Sequence, residues 1–426
     1  MSDRDGISRW AVRRALLDDA LAQVLDNRVF RILVVIAVAL VGLTFAVGFR
    51  EEEVVVLFGF RRYQYEDFLE YLPILQAFSS GVDESQRIVA ISGLQGVFVD
   101  FLAGTFGILF CVAATAFFVP RMLEKGMADT LFSKPVSRWS LLWARYASSI
   151  LFVALLALVL IGGTHLGLLF VSGYSDPSYL WAAPMLVYKF ALVSSYTILF
   201  GVVLRNATAT LLMTLIAFGF TAGIHELWKV VEWGTQRAEF ELLRHGAPVT
   251  EESREFDAFA RTLGLGLDGL HFTLPKLNDA GQVTRLLREQ LGAAERQEAR
   301  LFEHGDGLAL VERRPGEIRL LVPGRGREYT FQDVDTAEVR AQGKQIRIDW
   351  PRDGTPQVQV EGTPVELLQP SRTSAAAYSE YSSWYSAAFR WDAPWTTNAW
   401  FSIGSSLAFV AAALGLGWLR LRRISF

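Results

Sequence analysis

The sequence predicts an α-helical polytopic membrane protein: six transmembrane helices, with an extracytoplasmic α+β insert between the fifth and the sixth. Three observations carry that prediction. Of 426 residues, 51% are hydrophobic and only 20% charged, and the apolar residues are gathered into runs instead of being spread at the spacing of a soluble amphipathic helix. Six of the runs reach the roughly 20 residues that a helix needs to cross a hydrocarbon core about 30 Å thick. A long polar, turn-rich stretch separates the last two. The same composition excludes disorder, and a net charge of −3 gives no global basic field, so no nucleic-acid partner is expected. The one cysteine, Cys111, excludes an internal disulfide and a Cys-rich metal site.

In chain order, residues 1–28 come first. Trp10, Leu16, Leu17, Leu21 and Leu25 fall near helical spacing, with Arg13, Arg14, Asp18 and Asp19 between them, so a cytoplasmic amphipathic helix lying in the interface is expected. The spans follow at Val29–Gly48, Gly96–Val119, Tyr146–Val171, Tyr179–Leu204, Ala207–Trp228 and Thr397–Leu419. The first is too long for a secretory h-region and no small-residue cleavage site follows it, so it is read as a retained anchor.

Arginine and lysine set the orientation. Arg4, Arg9, Arg13, Arg14 and Arg28 precede the first span. Arg121, Lys125, Lys134, Arg138 and Arg145 lie between the second and third, Arg205 between the fourth and fifth, and Arg420, Arg422 and Arg423 at the end. All fall on one face, which the rule makes cytoplasmic, with both termini inside a bacterial plasma membrane. The Glu51–Gln95 loop, the Ser172–Ser178 turn and residues 234–394 then face outward. Within 234–394, Glu251–Leu263 and Asp279–Glu303 show helical spacing, whereas Leu308–Val365 shows short alternating runs broken by Gly and Pro, the pattern of a small β module. Residues 371–385 lead back to span six, where Trp391, Trp395 and Trp400 form an interfacial aromatic belt. The domain plan is therefore 1–28, 29–233 with a cytoplasmic loop at 120–140, 234–394, and 395–426.

Most motifs fail on their context. Gly264-Leu-Gly266-Leu-Asp-Gly269 has the letters of a dinucleotide fingerprint but follows a charged helical stretch, where the chemistry needs a strand before the turn. His225-Glu226 opens like a zinc-protease motif, yet Lys229 stands where the second histidine must be. Gly343-Lys344 is followed by Gln345 and lacks the earlier loop glycine, so no P-loop is present. Ionisable residues inside spans are candidates because burying charge in lipid is costly; Asp100, His165 and Lys189 qualify. Asp100 and Lys189 lie toward the outer ends of their helices, where snorkelling or a mutual ion pair accounts for them without a transport role.

The most informative segment runs from Pro120 to Tyr146. Pro120 ends the second span and Pro135 biases Lys134 away from helix, so a short amphipathic helix is expected between them, with Met122, Leu123, Met127, Leu131 and Phe132 as its apolar face. The order Glu124-x-Gly126, then Leu131-x-Ser133-Lys134-Pro135-Val136-Ser137-Arg138, resembles the loop between spans two and three in permease subunits of type-2 ABC exporters, particularly the multicopper-enzyme-maturation permease group. The chain departs from many relatives in carrying Arg145 where they have lysine and in the size of its insert.

The resemblance implies a coupling helix that contacts a separate ATPase. Glu124, Lys134, Ser137 and Arg138 would supply polar contacts, and Gly126 and Pro135 would shape the loop. It also implies a homodimer or a pairing with a sister permease, with two ATP-binding cassette subunits. No catalytic residue and no cofactor is expected in this chain, ATP and magnesium belonging to the partner. Membrane lipid and a periplasmic partner for the insert complete the expected contacts. The reading from a different class is a non-transporting membrane scaffold or sensor whose outer domain binds an envelope partner.

Overall fold

The computed structural model describes residues 28–77, 86–124, 137–245 and 264–291, most of 298–367, and 388–423, with a few single positions between them. The expected amphipathic helix before residue 26, the helical spacing at 251–261, and Lys134 and Pro135 lie outside the described residues. The chain is a mostly helical membrane protein with six helices long and apolar enough to cross a membrane. These are α1 (Arg28–Ala46), α4 (Gln86–Met122), α5 (Arg138–Ser172), α6 (Pro177–Leu204), α7 (Ala207–His245) and α10 (Ala399–Arg422). Two compact units divide the chain. The first holds residues 1–222, 274–288 and 404–426, and the second holds 223–273 and 289–403.

Residues 51–95 are more than the connecting loop the sequence suggests. The helix α1 stops at Ala46, and β1 (Val47–Phe49), β2 (Glu53–Val56) and β3 (Arg61–Gln64) form an antiparallel sheet in the order β1-β2-β3. The helices α2 (Tyr65–Tyr71) and α3 (Pro73–Ala77) follow, and α4 begins at Gln86, ahead of the apolar run. The acidic Glu51-Glu52-Glu53 triplet hides a β-branched strand, in which Val54 and Val55 are buried. Phe49, Val54, Tyr65, Phe68 and Leu69 make a local core with Ile91 of α4.

Within the first unit, the spans approach closely at several glycines. Gly163 and Gly167 of α5 are four residues apart and face α1, and a methyl group at 163 would stand 2.6 Å from Val41. At 167 it would collide with the Thr44 hydroxyl, which is itself bonded to the Val41 carbonyl at 2.7 Å. Such paired small residues let helix backbones meet in lipid, where there is no hydrophobic force between helices and packing must hold them. Gly201 of α6 admits Val119 and Pro120 of α4 in the same way. Polar side chains join other pairs: Ser149 and Ser194 meet at 2.9 Å, and the Tyr146 hydroxyl donates to the Ala191 carbonyl at 3.0 Å.

The helix α9 (Asp279–Leu291) follows a helical segment at 264–273, α8. The helical spacing predicted up to Glu303 ends at Leu291, and β4 (Glu298–His304) replaces it. Its buried side chains, Phe302 and His304, are two apart, the period of a strand. The second unit contains two antiparallel four-stranded sheets. One has the order β4-β5-β6-β7, with β5 Gly307–Arg314, β6 Glu317–Val322 and β7 Arg327–Gln332. The other has β8 Thr336–Ala341, β9 Lys344–Asp349, β10 Gln357–Val360 and β11 Thr363–Pro364, in the order β11-β10-β9-β8. Alternate residues from both sheets, among them Phe302, Val311, Ile318, Leu320, Ile346 and Ile348, share one core.

The glycine contact makes a direct prediction. Gly167→Leu forces apart α1 and α5 and lowers stability by about 1–3 kcal/mol, the usual cost of overpacking. Gly42→Ala, which points into open space, does not. Thermal unfolding of the detergent-solubilised chain reads both, and equal midpoints for the two variants would refute the packing role of Gly167.

Candidate functional site

The described residues on either side of the segment after α4 are anchored. Met122 and Leu123 are buried in the main core of the first unit, so the chain leaves α4 anchored. Glu124 and Gly126 are exposed. Gly126 has φ +95, a conformation that L side chains adopt only with strain. At the far end Ser137 caps α5, its hydroxyl accepting from the Ser140 amide at 3.1 Å. Arg138 turns back on the chain and donates to the carbonyls of Leu421 at 2.8 Å and Arg422 at 3.3 Å. Those carbonyls end α10, where main-chain acceptors have no helical partner and a cation also complements the helix dipole. Trp139 stacks edge-on to Trp418 at 5.9 Å and reinforces the same contact. The guanidinium thus has a structural task as well as the partner contact that the sequence resemblance implies.

The second cluster lies at the opposite ends of α4, α5 and α6. Asp176 caps the first turn of α6 by accepting from the Ser178 amide at 3.0 Å and from the Ser178 hydroxyl. Arg288 of α9 reaches the same carboxylate at 2.7 Å and Gln95 of α4 at 3.3 Å. Lys276, just before α9, is buried. Its ammonium donates to the Ser405 hydroxyl at 2.8 Å and its amide to the Ser406 hydroxyl at 2.9 Å. Residues 274–288 are thereby tied by charge and hydrogen bonds to spans of the same unit.

Beside this network Asp100 and Lys189 face each other. Asp100 belongs to a π-helical segment of α4, Val97–Gly107, in which the Thr105 hydroxyl bonds the Asp100 carbonyl five residues back, at 3.1 Å. Such wide turns cost hydrogen-bond geometry and often occur at functional positions. The two charges line one small recess with Gly104, Ala182, Gly281 and Thr284. They are electrostatic neighbours, but among the described residues neither charged head makes a hydrogen bond or close ion pair. Of the two explanations the sequence offered, snorkelling or a mutual ion pair, the second takes the form of a separated pair. His165 of α5 stands apart from it, half-buried, just after a second π-helical segment, Leu158–Gly162.

In the second unit the aborted zinc motif has a different use. Lys229 pairs with Glu226 at 2.6 Å. His225 and His271 meet through their Nδ1 atoms at 3.2 Å, Trp228 stacks on His271 at 3.8 Å, and the Trp228 indole donates to Asp268 at 2.8 Å. Among the described residues no three His, Cys, Asp or Glu side chains are grouped to hold a metal.

Sequence reasoning found Asp100 and Lys189 individually but missed Arg288, Asp176, Gln95 and Lys276. The available signal was the apolar and small face of α9, Ala280, Gly281 and Val283, with Leu277 just before it, which suits packing against a span better than exposure. No family model, curated protein or solved structure matches the chain.

Burial pushes the Lys276 ammonium down to about 8, against the opposing pull of Asp279. A lysine with a lowered folded-state pKa makes the fold more stable as pH rises. Above about 8 the folded form has lost a proton that the unfolded chain keeps until its ordinary value of 10.5. Amide-exchange protection of residues 274–288, corrected for intrinsic rates, should therefore increase between pH 8 and pH 10, and Lys276→Met should abolish the increase. A flat wild-type profile would contradict this account.

Proposed function

We propose that the chain is the transmembrane permease subunit of an ATP-binding cassette exporter, driven by ATP hydrolysed on a separate subunit that carries the nucleotide and magnesium. The observation that carries this reading is the loop between α4 and α5. Glu124 and Gly126 are presented to solvent, while both ends of the loop are tied to spans through Met122, Leu123, Ser137 and Arg138. A segment held this way transmits displacement to α4, α5 and α10 together, as an energy-coupling element must. The resemblance of Glu124 to Arg138 to type-2 exporter loops supports the same assignment, with Lys134 and Pro135 in the part that would meet the ATPase.

On this reading the basic residues Arg121, Arg138, Arg205, Arg420, Arg422 and Arg423 mark the cytoplasmic face, and the sheet-bearing insert between α7 and α10 is extracytoplasmic. Two copies, or one with a sister permease, form the path. ATP binding closes the ATPase pair and favours the permease conformation whose loops fit the closed pair better. The shift in access follows from that difference in contact energy. No residue of this chain performs chemistry.

Affinity purification in mild detergent should recover a Walker-type ATPase with the chain. In proteoliposomes, Glu124→Lys should leave insertion and folding unchanged and reduce the permease-dependent ATPase rate at least tenfold. Purification of the chain without any ATP-binding subunit would instead favour a scaffold or sensor, and an unchanged rate in Glu124→Lys would remove the loop from the mechanism.

A further inference from the structure

The recess between Asp100 and Lys189 has three properties that together define a ligand. Its two charges are of opposite sign and are held apart without a described partner for either head, which is costly near lipid unless something lies between them. Two of its positions are glycines: a methyl group at 281 would stand 3.8 Å from the Asp100 carboxylate, and one at 104 would stand 3.7 Å from the Lys189 ammonium and 2.6 Å from the Val99 carbonyl. The interior has room for about one water-sized group. The remaining walls, such as Val99, Met185 and Leu186, are aliphatic.

On the topology read from the basic residues, the recess lies toward the outer ends of α4 and α6. Asp100 lies only four residues inside the apolar run, roughly 6 Å at the helical rise, and is exposed. Lys189 starts deeper and is half-buried, but its long amine stem can snorkel, and its ammonium stands beside Gly104.

We infer that this recess binds a zwitterionic group in which a primary ammonium and a phosphate are separated by a short link, the chemistry of an ethanolamine phospholipid headgroup. The ammonium lies beside Asp100 on the exposed side, where its size and three donors suit a one-water space, and the phosphate lies against the deeper Lys189. A purely anionic headgroup would meet the Asp100 carboxylate, and a simple cation would meet Lys189. A trimethylammonium group is too large for the space and finds no aromatic side chain in the recess walls, the usual means of holding it. Arg288 is engaged with Asp176, leaving the pair at the recess neutral overall and matched to a neutral zwitterion. This inference does not depend on an ATPase partner.

The test is native mass spectrometry of the full chain, delipidated in detergent and re-exposed to phosphatidylethanolamine, phosphatidylcholine or phosphatidylglycerol, with soluble phosphoethanolamine as competitor. Ethanolamine lipid should be retained at least tenfold over the other two. Asp100→Asn and Lys189→Gln should each remove that preference. Gly281→Leu, which fills the recess without altering charge, should do the same, and the thermal midpoint of each variant separates loss of ligand from loss of fold. Competition by phosphoethanolamine at low concentration assigns the site to the headgroup alone and admits a soluble zwitterion as its occupant. Absence of competition assigns it to the intact lipid. Equal retention of all three lipids, or unchanged preference in a folded Asp100→Asn or Gly281→Leu variant, overturns the inference and leaves only bridging water in the recess.

Discussion

The structure depends on one constraint: in hydrocarbon, every main-chain donor and acceptor must find its partner within the protein. Helices meet it along their own length, and several hydroxyls inside the spans obey it too. Thr115 bonds the Cys111 carbonyl at 2.9 Å, Thr164 that of Leu160 at 2.6 Å and Thr214 that of Thr210 at 2.8 Å. Once polar groups are satisfied internally, nothing in lipid favours one helix pairing over another except shape and a few cross-links. Hence the weight carried by small contacts: Gly163 and Gly167 against α1, Gly201 against α4, and the Ser149–Ser194 bond between α5 and α6.

The same constraint makes helix ends the natural places for connection. At an end, acceptors are unpaired and a charged side chain can complete them. Arg138 does so for α10 and Asp176 does so for the donors at the start of α6. Each of these residues then makes a tie between distant parts of the chain, so the capping of individual helices and the assembly of the first unit are accomplished by the same groups. The exposed Glu124 and Gly126 lie on a connection bounded by a buried helix end at Met122–Leu123 and a capped one at Ser137.

What was legible in the sequence follows from the length scale of each signal. Six spans were visible because a bilayer demands long apolar runs, and a β-rich stretch over Leu308–Val365 was visible because alternation recurs in short runs there. The sheet of β1 to β3 was not, since three glutamates precede Val54 and the strands are only three or four residues long. Strand β4 was read as helix because the helical spacing of α9 was extended beyond Leu291. Asp100 and Lys189 were conspicuous as charges in apolar runs, but their relation was hidden. The residues that shape the recess include Gly281 and Thr284, which belong to a segment the sequence placed with a water-exposed insert. Only its apolar and small face hinted that it returns to the spans.

Two carboxylates at the same end of the first unit are treated differently, and the contrast bears on what the recess is for. Asp176 is closed off by Ser178 and Arg288, the latter at 2.7 Å. Asp100 also lies within the electrostatic reach of Arg288 as well as Lys189, so cations to neutralise it by direct contact are present. Arg288 is committed elsewhere, Lys189 stops short, and a larger side chain at Gly281 would fill the gap, whereas Gly104 is also required by the Val99 carbonyl, 2.6 Å from where its Cβ would stand. A π-helical segment, with its poorer hydrogen bonding, supports Asp100 in that position. A pair serving only to neutralise itself does not need the gap, which a ligand bringing one charge of each sign would fill.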